Sequence, residues 1–142
     1  MKSTYPARIE KDNNGLYFVQ FINFDEAITD GETLEEALFN AQEVLTLTVE
    51  SRLEENLDLP LPSQTGEKEE DNIYFVAPDA RVQAALLVHH ARGNRSIAEL
   101  ARALGTSWPA AKRLEDPRNS PTLKILDKAA ATLGKKLVLS FE

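Results

Sequence analysis

SIAELARALGTSWPAAKRLE, the sequence of residues 96–115, predicts two short helices joined by a tight turn. Ser96 is a typical N-cap, and a Glu three residues later completes a capping box. Gly105 can adopt the left-handed conformation that a sharp corner between helices requires. Ser107 caps the second helix, in whose first turn Pro109 is tolerated because those amides have no helical partner. The stretch therefore predicts a helix, a turn and a second helix.

The charge of the chain is divided between its two halves. Of the 142 residues, 23 are Asp or Glu and 16 are Lys or Arg, so the net charge is −7. Residues 1–79 hold 18 of these acids and 5 of these bases, a net charge of −13. Residues 80–142 hold 5 acids and 11 bases, a net charge of +6. We expect the basic half to attract a polyanion and the acidic half to attract a basic partner.

The composition excludes several classes of protein and site. The chain has no Cys, which excludes disulfides, thiolate metal sites and cysteine nucleophiles. A reducing cytoplasm is then the simplest location. No apolar run approaches the roughly 18 residues of a membrane span, and the first residues lack the apolar region of a signal peptide. We therefore expect a cytoplasmic protein that has no contact with a membrane.

Two strands and a turn are predicted at the start of the chain. Residues 4–11 alternate between apolar and polar side chains, as a half-buried strand does. Residues 12–15, Asp-Asn-Asn-Gly, favour a turn because Asn and Gly tolerate a positive φ. Residues 16–24 are rich in aromatic and β-branched side chains and predict a second strand. A third short strand is predicted near residues 27–29.

A long helix and a fourth strand follow. Thr33 begins a second capping box, and apolar residues then recur at helical spacing to about Glu55. Pro60 and Pro62 cannot continue a helix, since they lack an amide proton. Residues 73–76 predict a further strand. The order β-β-β-α-β predicts one sheet with a helix packed on it, a fold of the α+β class.

The predicted domain boundary lies where the charge changes sign. We expect a front domain of residues 1–77 and an all-α back domain of residues 78–142. In the back domain, Asp79 caps a helix that ends at Gly93, and the two short helices follow. Residues 136–141 alternate again and predict a short C-terminal strand.

The back half resembles the helix-turn-helix of the Xre/Cro repressor family. The resemblance rests on the spacing of residues 96–115 and on residues 120–136, which are similar to the closing helix and tail of that family. In the family, the second helix enters the major groove with its N-terminal residues at base edges. The resemblance implies DNA contacts from Ser107, Trp108, Ala110, Lys112 and Arg113 on the second helix, from Ser96 before the first, and from Arg118 and Asn119 in the following loop.

The start of the second helix departs from the family pattern. Trp-Pro-Ala stands where the family often has Gln, Arg or Ser, so base reading would depend on Trp108, Lys112 and Arg113. An alternative is that Trp108 lies under its own domain or in a partner interface. A helical bundle without a DNA role is a further alternative. The helix spacing, the downstream helix and the basic charge of this half favour DNA binding.

Nearly the whole chain resembles the HicB antitoxin family. The departure is in residues 23–27, NFDEA, which replace the usual Pro-Asp-x-Pro-Gly segment. The resemblance implies an antitoxin that neutralises HicA, a small basic toxin that cleaves messenger RNA, and that binds operator DNA to repress its own operon. The segments that carry the resemblance are 5–11 (YPARIEK), 17–19 (YFV), 31–37 (GETLEEA) and 59–63 (LPLPS).

Partner contacts are predicted at two places. Complementarity with a basic toxin favours four acidic residues near the third strand, although each could instead only solvate the surface. We expect a homodimer or a higher even oligomer, because two half-sites about 34 Å apart multiply a modest affinity. Residues 136–141 could pair across a two-fold axis, or could cover their own domain. The candidate toxin contacts are Asp25, Glu26, Asp30 and Glu32.

The sequence contains no recognisable catalytic pattern. Its acids do not form the constellation of a metal nuclease, and it has no phosphate-binding loop or dinucleotide fingerprint. His89 and His90 are adjacent on a helix and cannot both face one metal, so we expect one to be packed and the other exposed. We expect no enzymatic activity, metal or cofactor. Two other functions stay open, a stand-alone transcriptional regulator that senses a small ligand and an adaptor that does not bind DNA.

Overall fold

The computed structural model describes residues 2–63 and 72–142. None of the helices in these residues is both long and apolar enough to cross a membrane. The elements in chain order are β1 (Tyr5–Lys11), β2 (Tyr17–Phe21), β3 (Ile28–Gly31), α1 (Leu34–Glu54), β4 (Ile73–Val76), α2 (Ala80–Arg92), α3 (Ile97–Leu104), α4 (Trp108–Arg113) and α5 (Leu123–Thr132).

The strands form one antiparallel sheet in the order β3-β2-β1-β4. In its centre, Ile9 of β1 lies opposite Val19 of β2, and Ala7 lies opposite Tyr74 of β4. These side chains point to the face that α1 covers, as the alternation of apolar residues predicts. The predicted order β-β-β-α-β and the α+β class are confirmed, and a helical region follows.

Short-range hydrogen bonds fix the hairpin and the start of α1. Asp12 Oδ1 accepts from the amides of Asn14 and Leu16 at 2.8 and 2.9 Å, which closes the turn between β1 and β2. Thr33 Oγ1 accepts from the amide of Glu36 at 3.1 Å, so the predicted N-cap is confirmed. All three hydrogen bonds join residues at most four positions apart, which explains why the sequence alone predicts them.

The helix α1 packs against β3 at a close backbone approach. Gly31, the last residue of β3, is buried, and a Cβ atom there would lie 2.4 Å from the amide nitrogen of Ala37. Glycine is therefore the one residue that fits without a shift of the helix. The apolar face of α1 continues through Ala41, Leu45 and Val49, which are fully buried against the sheet.

The helix α2 contributes to the cores of both halves. Val82 and Leu86 are fully buried in the core formed by the sheet and α1. Two residues after Leu86, Val88 is buried in a second core built with α3, α4 and α5, which includes Leu100 and Leu133. The two halves are thus joined through a shared helix. The predicted domain boundary after residue 77 stays a prediction.

The predicted C-terminal strand does not form in the single chain. Residues 135–142 have no regular secondary structure. A strand needs a neighbouring backbone for its hydrogen bonds, and the elements around this segment are helices. Val138 and Leu139 are 78% and 64% exposed, and Phe141 is fully exposed. Leu137 is partly buried, so the described part of the chain covers one apolar side chain of the segment and leaves these three exposed.

Candidate nucleic-acid interface and acidic surface

Two capped helices and a left-handed turn form the corner predicted from residues 96–115. Ser96 Oγ accepts from the amide of Glu99 at 3.0 Å at the start of α3. Gly105 ends α3 with a φ of 69°, which is in the left-handed region. Ser107 Oγ then accepts from the amide of Ala110 at 3.2 Å and starts α4. Both predicted N-caps and the glycine turn are confirmed.

The helix α4 has one buried and one exposed side. Ala111 and the following Leu114 are buried in the second core. Lys112 and Arg113 are exposed, and Trp108 is 52% exposed. The alternative in which Trp108 lies under its own domain is therefore excluded within the described chain. The exposed side presents an indole ring and two cations to solvent.

An open cleft of about 430 Å³ lies between α4 and the C-terminal end of α1. Lys112, Arg113 and Arg118 line it on one side, and Glu54 lines it on the other. Arg118 Nη2 lies 2.9 Å from Glu54 Oε1, and the Arg118 side chain is still 72% exposed. The structure thus brings these three predicted contacts together. Ser96 and Asn119 do not line the cleft.

A buried carboxylate, which no pattern in the sequence indicates, connects the segment after α4 to α2. The Glu115 side chain is 4% exposed, and its Oε1 atom lies 2.8 Å from His89 Nδ1 and accepts from Arg92 Nη2 at 2.9 Å. Burial alone would raise the pKa of Glu115. Hydrogen bonds from His89 and Arg92 outweigh this effect and hold the pKa at about 2. Glu115 is therefore an ionised carboxylate that connects the segment after α4 to α2 through a buried ion pair.

The two adjacent histidines are both half-buried, so the prediction that one is exposed is wrong. His89 contacts Glu115, whereas His90 Nε2 lies 2.9 Å from the carbonyl oxygen of Leu59. The contact with Leu59 would raise the pKa of His90, but burial has the larger effect and lowers it. The two rings contact different parts of the chain, which helical periodicity cannot predict.

Within residues 2–63 and 72–142, no group of three or more His, Cys, Asp or Glu could hold a metal ion.

The four predicted acidic contacts have different surroundings. Glu26 accepts from Arg52 of α1 at 2.8 and 3.0 Å, and this hydrogen bonding lowers the pKa of Glu26. Its charge is therefore balanced within the chain. Asp25, Asp30 and Glu32 are exposed. Asp30 lies in β3, which is an edge strand of the sheet, and Asp25 and Glu32 lie before and after this strand.

Comparisons with known proteins point to one family. A family model described as the HicB_like antitoxin of bacterial toxin-antitoxin system matches residues 4–77. "Antitoxin HicB 1" of Photorhabdus laumondii subsp. laumondii is 33% identical over 138 residues, which cover 97% of this chain and 86% of that protein. "Antitoxin HicB" of Escherichia coli (strain K12) is 30% identical over 137 residues, which cover 95% of this chain and 96% of that protein. A solved structure, "Toxin-Antitoxin complex from Streptococcus pneumoniae", matches with a TM-score of 0.47 and 24% identity over 78% of this chain and 93% of that chain.

Proposed function

The chain belongs to the HicB-like antitoxin family, and from this premise we propose that it neutralises a HicA-like toxin that cleaves messenger RNA and represses its own operon. Residues 1–77 would bind the toxin, and residues 78–142 would bind operator DNA. The observation that carries the proposal is the family match over residues 4–77, together with 33% identity over 97% of the chain to an antitoxin. This membership favours an antitoxin over a regulator that senses a small ligand.

Charge supports the toxin-binding role of the front half. Residues 1–79 carry a net charge of −13, which would attract a basic, RNA-binding protein and speed its association. Asp25, Asp30 and Glu32 are exposed and are the proposed contacts. Glu26 contributes less, because Arg52 already balances its charge. Neutralisation by binding requires no catalytic step, so the proposed activity is not enzymatic.

The exposed side of α4 supports the DNA-binding role of the back half. A helix-turn-helix would place this side in the major groove, with Trp108 and Ala110 near bases and Lys112 and Arg113 near bases or phosphates. Ser96 at the start of α3 would meet a phosphate, as would Arg118 and Asn119 in the following loop. The proposed location is the cytoplasm, where both operator DNA and messenger RNA are found.

The exposed tail supports a dimeric repressor. Val138, Leu139 and Phe141 leave apolar surface and unpaired backbone in the single chain. Pairing with the same segment of a second copy would cover both across a two-fold axis. We expect a dimer or a higher even oligomer in solution. Small-angle scattering that shows a monomer at micromolar concentration would contradict this.

An RNA-cleavage assay tests the toxin-binding role. The open reading frame beside this gene is expected to encode a small basic protein, which would be co-expressed with the full chain and purified. We expect the two proteins to co-purify and the RNA to stay intact. When the partner is freed from the chain by denaturation and refolded alone, it should cleave RNA. Cleavage at the same rate in the presence of excess chain would contradict neutralisation.

A gel-shift titration with promoter duplex tests the DNA-binding role. Lys112→Ala combined with Arg113→Ala should weaken binding at least about tenfold. The slope of the logarithm of the binding constant against the logarithm of the salt concentration should fall in magnitude by about 1–2. Lys128→Ala is the matched control, because this cation is exposed on α5, outside the proposed interface. An equal effect of the control and the double variant would indicate general attraction without a defined interface. No retardation by the unchanged chain would rule out the DNA-binding role.

A further inference from the structure

The helix α1 carries a second stripe of residues on the face turned away from the sheet. Two large apolar side chains in it are largely exposed, Phe39 by 60% and Leu47 by 66%. The members recur at spacings of three and four, so they lie on one side of a helix with about 3.6 residues per turn. We call them the outer stripe of α1, which consists of Glu36, Phe39, Glu43, Leu47, Glu50 and Glu54.

The outer stripe is acidic, although its last member, Glu54, lies 2.9 Å from Arg118 and is balanced by that cation. Four of its six members are Glu, and Lys and Arg are absent from it. The single cation in the sequence of α1, Arg52, instead contacts Glu26. Exposed apolar residues with an acidic rim have the composition of a protein-binding surface whose partner is basic.

The outer stripe is next to the acidic residues already proposed as contacts. Asn40 Nδ2 donates to the backbone oxygen of Asp30 at 2.8 Å, which holds the edge strand β3 beside the N-terminal half of α1. Asp30 and Glu32 therefore border the part of the stripe that contains Phe39. The helix surface extends the acidic patch of Asp30 and Glu32 and adds apolar anchors to it.

We propose that the outer stripe of α1 is the docking surface for the basic toxin, with Phe39 and Leu47 as its two apolar anchors. This inference rests on the proposed function and deepens it, because it specifies where the partner binds. The anchors are eight positions apart, about 12 Å along the helix at 1.5 Å per residue. A central pair of apolar side chains within a charged rim matches the usual anatomy of a protein interface.

The charge of the stripe argues against other occupants. Nucleic acid would be repelled by Glu36, Glu43 and Glu50, whereas the charge of Glu54 is balanced by Arg118. A second copy of this chain, docked about a two-fold axis, would place the same glutamates opposite one another, and like charges across an interface oppose binding. A small basic protein is the occupant that satisfies both the apolar anchors and the acidic rim.

The affinity of the full chain for its partner tests this surface. The probe is the purified product of the open reading frame beside this gene, measured by biolayer interferometry. Phe39→Lys combined with Leu47→Lys should raise the dissociation constant at least about tenfold, because it removes both anchors and adds like charge. Leu57→Lys is the matched control, since Leu57 is 50% exposed but lies beyond α1, and it should change the constant less than about twofold. Both positions of the double variant are exposed, so its thermal melting should match that of the unchanged chain.

Charge reversal in the stripe gives a second, kinetic readout. Glu43→Lys combined with Glu50→Lys should mainly slow association and weaken its dependence on salt, as expected for rim charges. Unchanged binding by the Phe39 and Leu47 double variant would overturn the outer stripe as the docking surface. In that event, loss of binding by Asp30→Lys combined with Glu32→Lys would assign the contact to the acids at the edge strand β3. Absence of binding by the unchanged chain would overturn the proposed function itself, and the stripe with it.

Discussion

The two halves of the chain stabilise their folds in different ways. In the front half, a four-stranded sheet and the 21-residue helix α1 enclose a large apolar core, and the charges stay at the surface. In the back half, α3, α4 and α5 have only 8, 6 and 10 residues and enclose a smaller core. There, N-cap hydroxyls and a buried carboxylate, Glu115, supplement the apolar contacts. Short helices bury little apolar area, so directional polar contacts determine their geometry.

Removal of the Glu115 carboxylate should have the largest effect. Glu115→Ala would leave Arg92 and His89 partly buried without their partner, and breaking a buried ion pair on one side costs about 3–5 kcal/mol of unfolding free energy. Urea denaturation, followed by circular dichroism, measures this loss. Asp127→Ala, an exposed acid on α5, is the control and should change stability by less than about 0.5 kcal/mol. A Glu115 variant as stable as this control would mean that the stability of the back half does not depend on this buried ion pair.

The same carboxylate should make stability depend on acid pH. Its pKa is about 2 in the folded chain against 4.5 for an ordinary Glu, so the folded state binds this proton less readily than the unfolded state. The contribution is therefore complete above about pH 4.5 and is lost as the pH falls towards 2. It amounts to about 3 kcal/mol, at 1.36 kcal/mol per pKa unit.

Urea denaturation at a series of pH values between 2 and 6 measures this loss. Glu115→Gln should remove this part of the pH dependence, since an amide does not titrate. An unchanged slope in that variant would assign the acid sensitivity to other carboxylates.

In the front half, the position most sensitive to substitution is Gly31, where β3 and α1 approach closely. Gly31→Ala would place a Cβ atom 2.4 Å from the amide nitrogen of Ala37, so α1 or β3 must shift. Such overpacking should cost about 1–3 kcal/mol of unfolding free energy, measured by thermal denaturation. Thr29→Ala, in the same strand, adds no atoms and should cost less. Equal stability of the Gly31 variant and the unchanged chain would contradict the packing of α1 on β3.

Local signals explain what the sequence revealed of this molecule. The caps at Thr33, Ser96 and Ser107 depend on atoms within three residues of one another, and the strands follow from simple alternation. These features gave the α+β class and the two short helices. They also placed Lys112 and Arg113 on an exposed face.

Contacts between distant residues explain what the sequence did not reveal. Glu115 accepts a hydrogen bond from Arg92, which is 23 residues away in the sequence. Arg118 forms an ion pair with Glu54, which is 64 residues away. The apolar spacing of α1 predicts its inner face, because such spacing indicates which face of a helix is buried. Phe39 and Leu47 lie off that face, and their exposure is visible only when the helix is placed on the sheet. The tail at residues 136–141 has the alternation of a strand but has no strand beside it in its own chain.

We propose that the acidic half binds the toxin while the basic half binds DNA. The most direct test measures both affinities for a full chain that carries Lys112→Ala and Arg113→Ala. We predict that its affinity for the toxin stays within about twofold of that of the unchanged chain. Its affinity for promoter duplex should fall at least about tenfold. A parallel loss of both affinities, or a loss of toxin binding alone, would contradict the division of roles between the two halves.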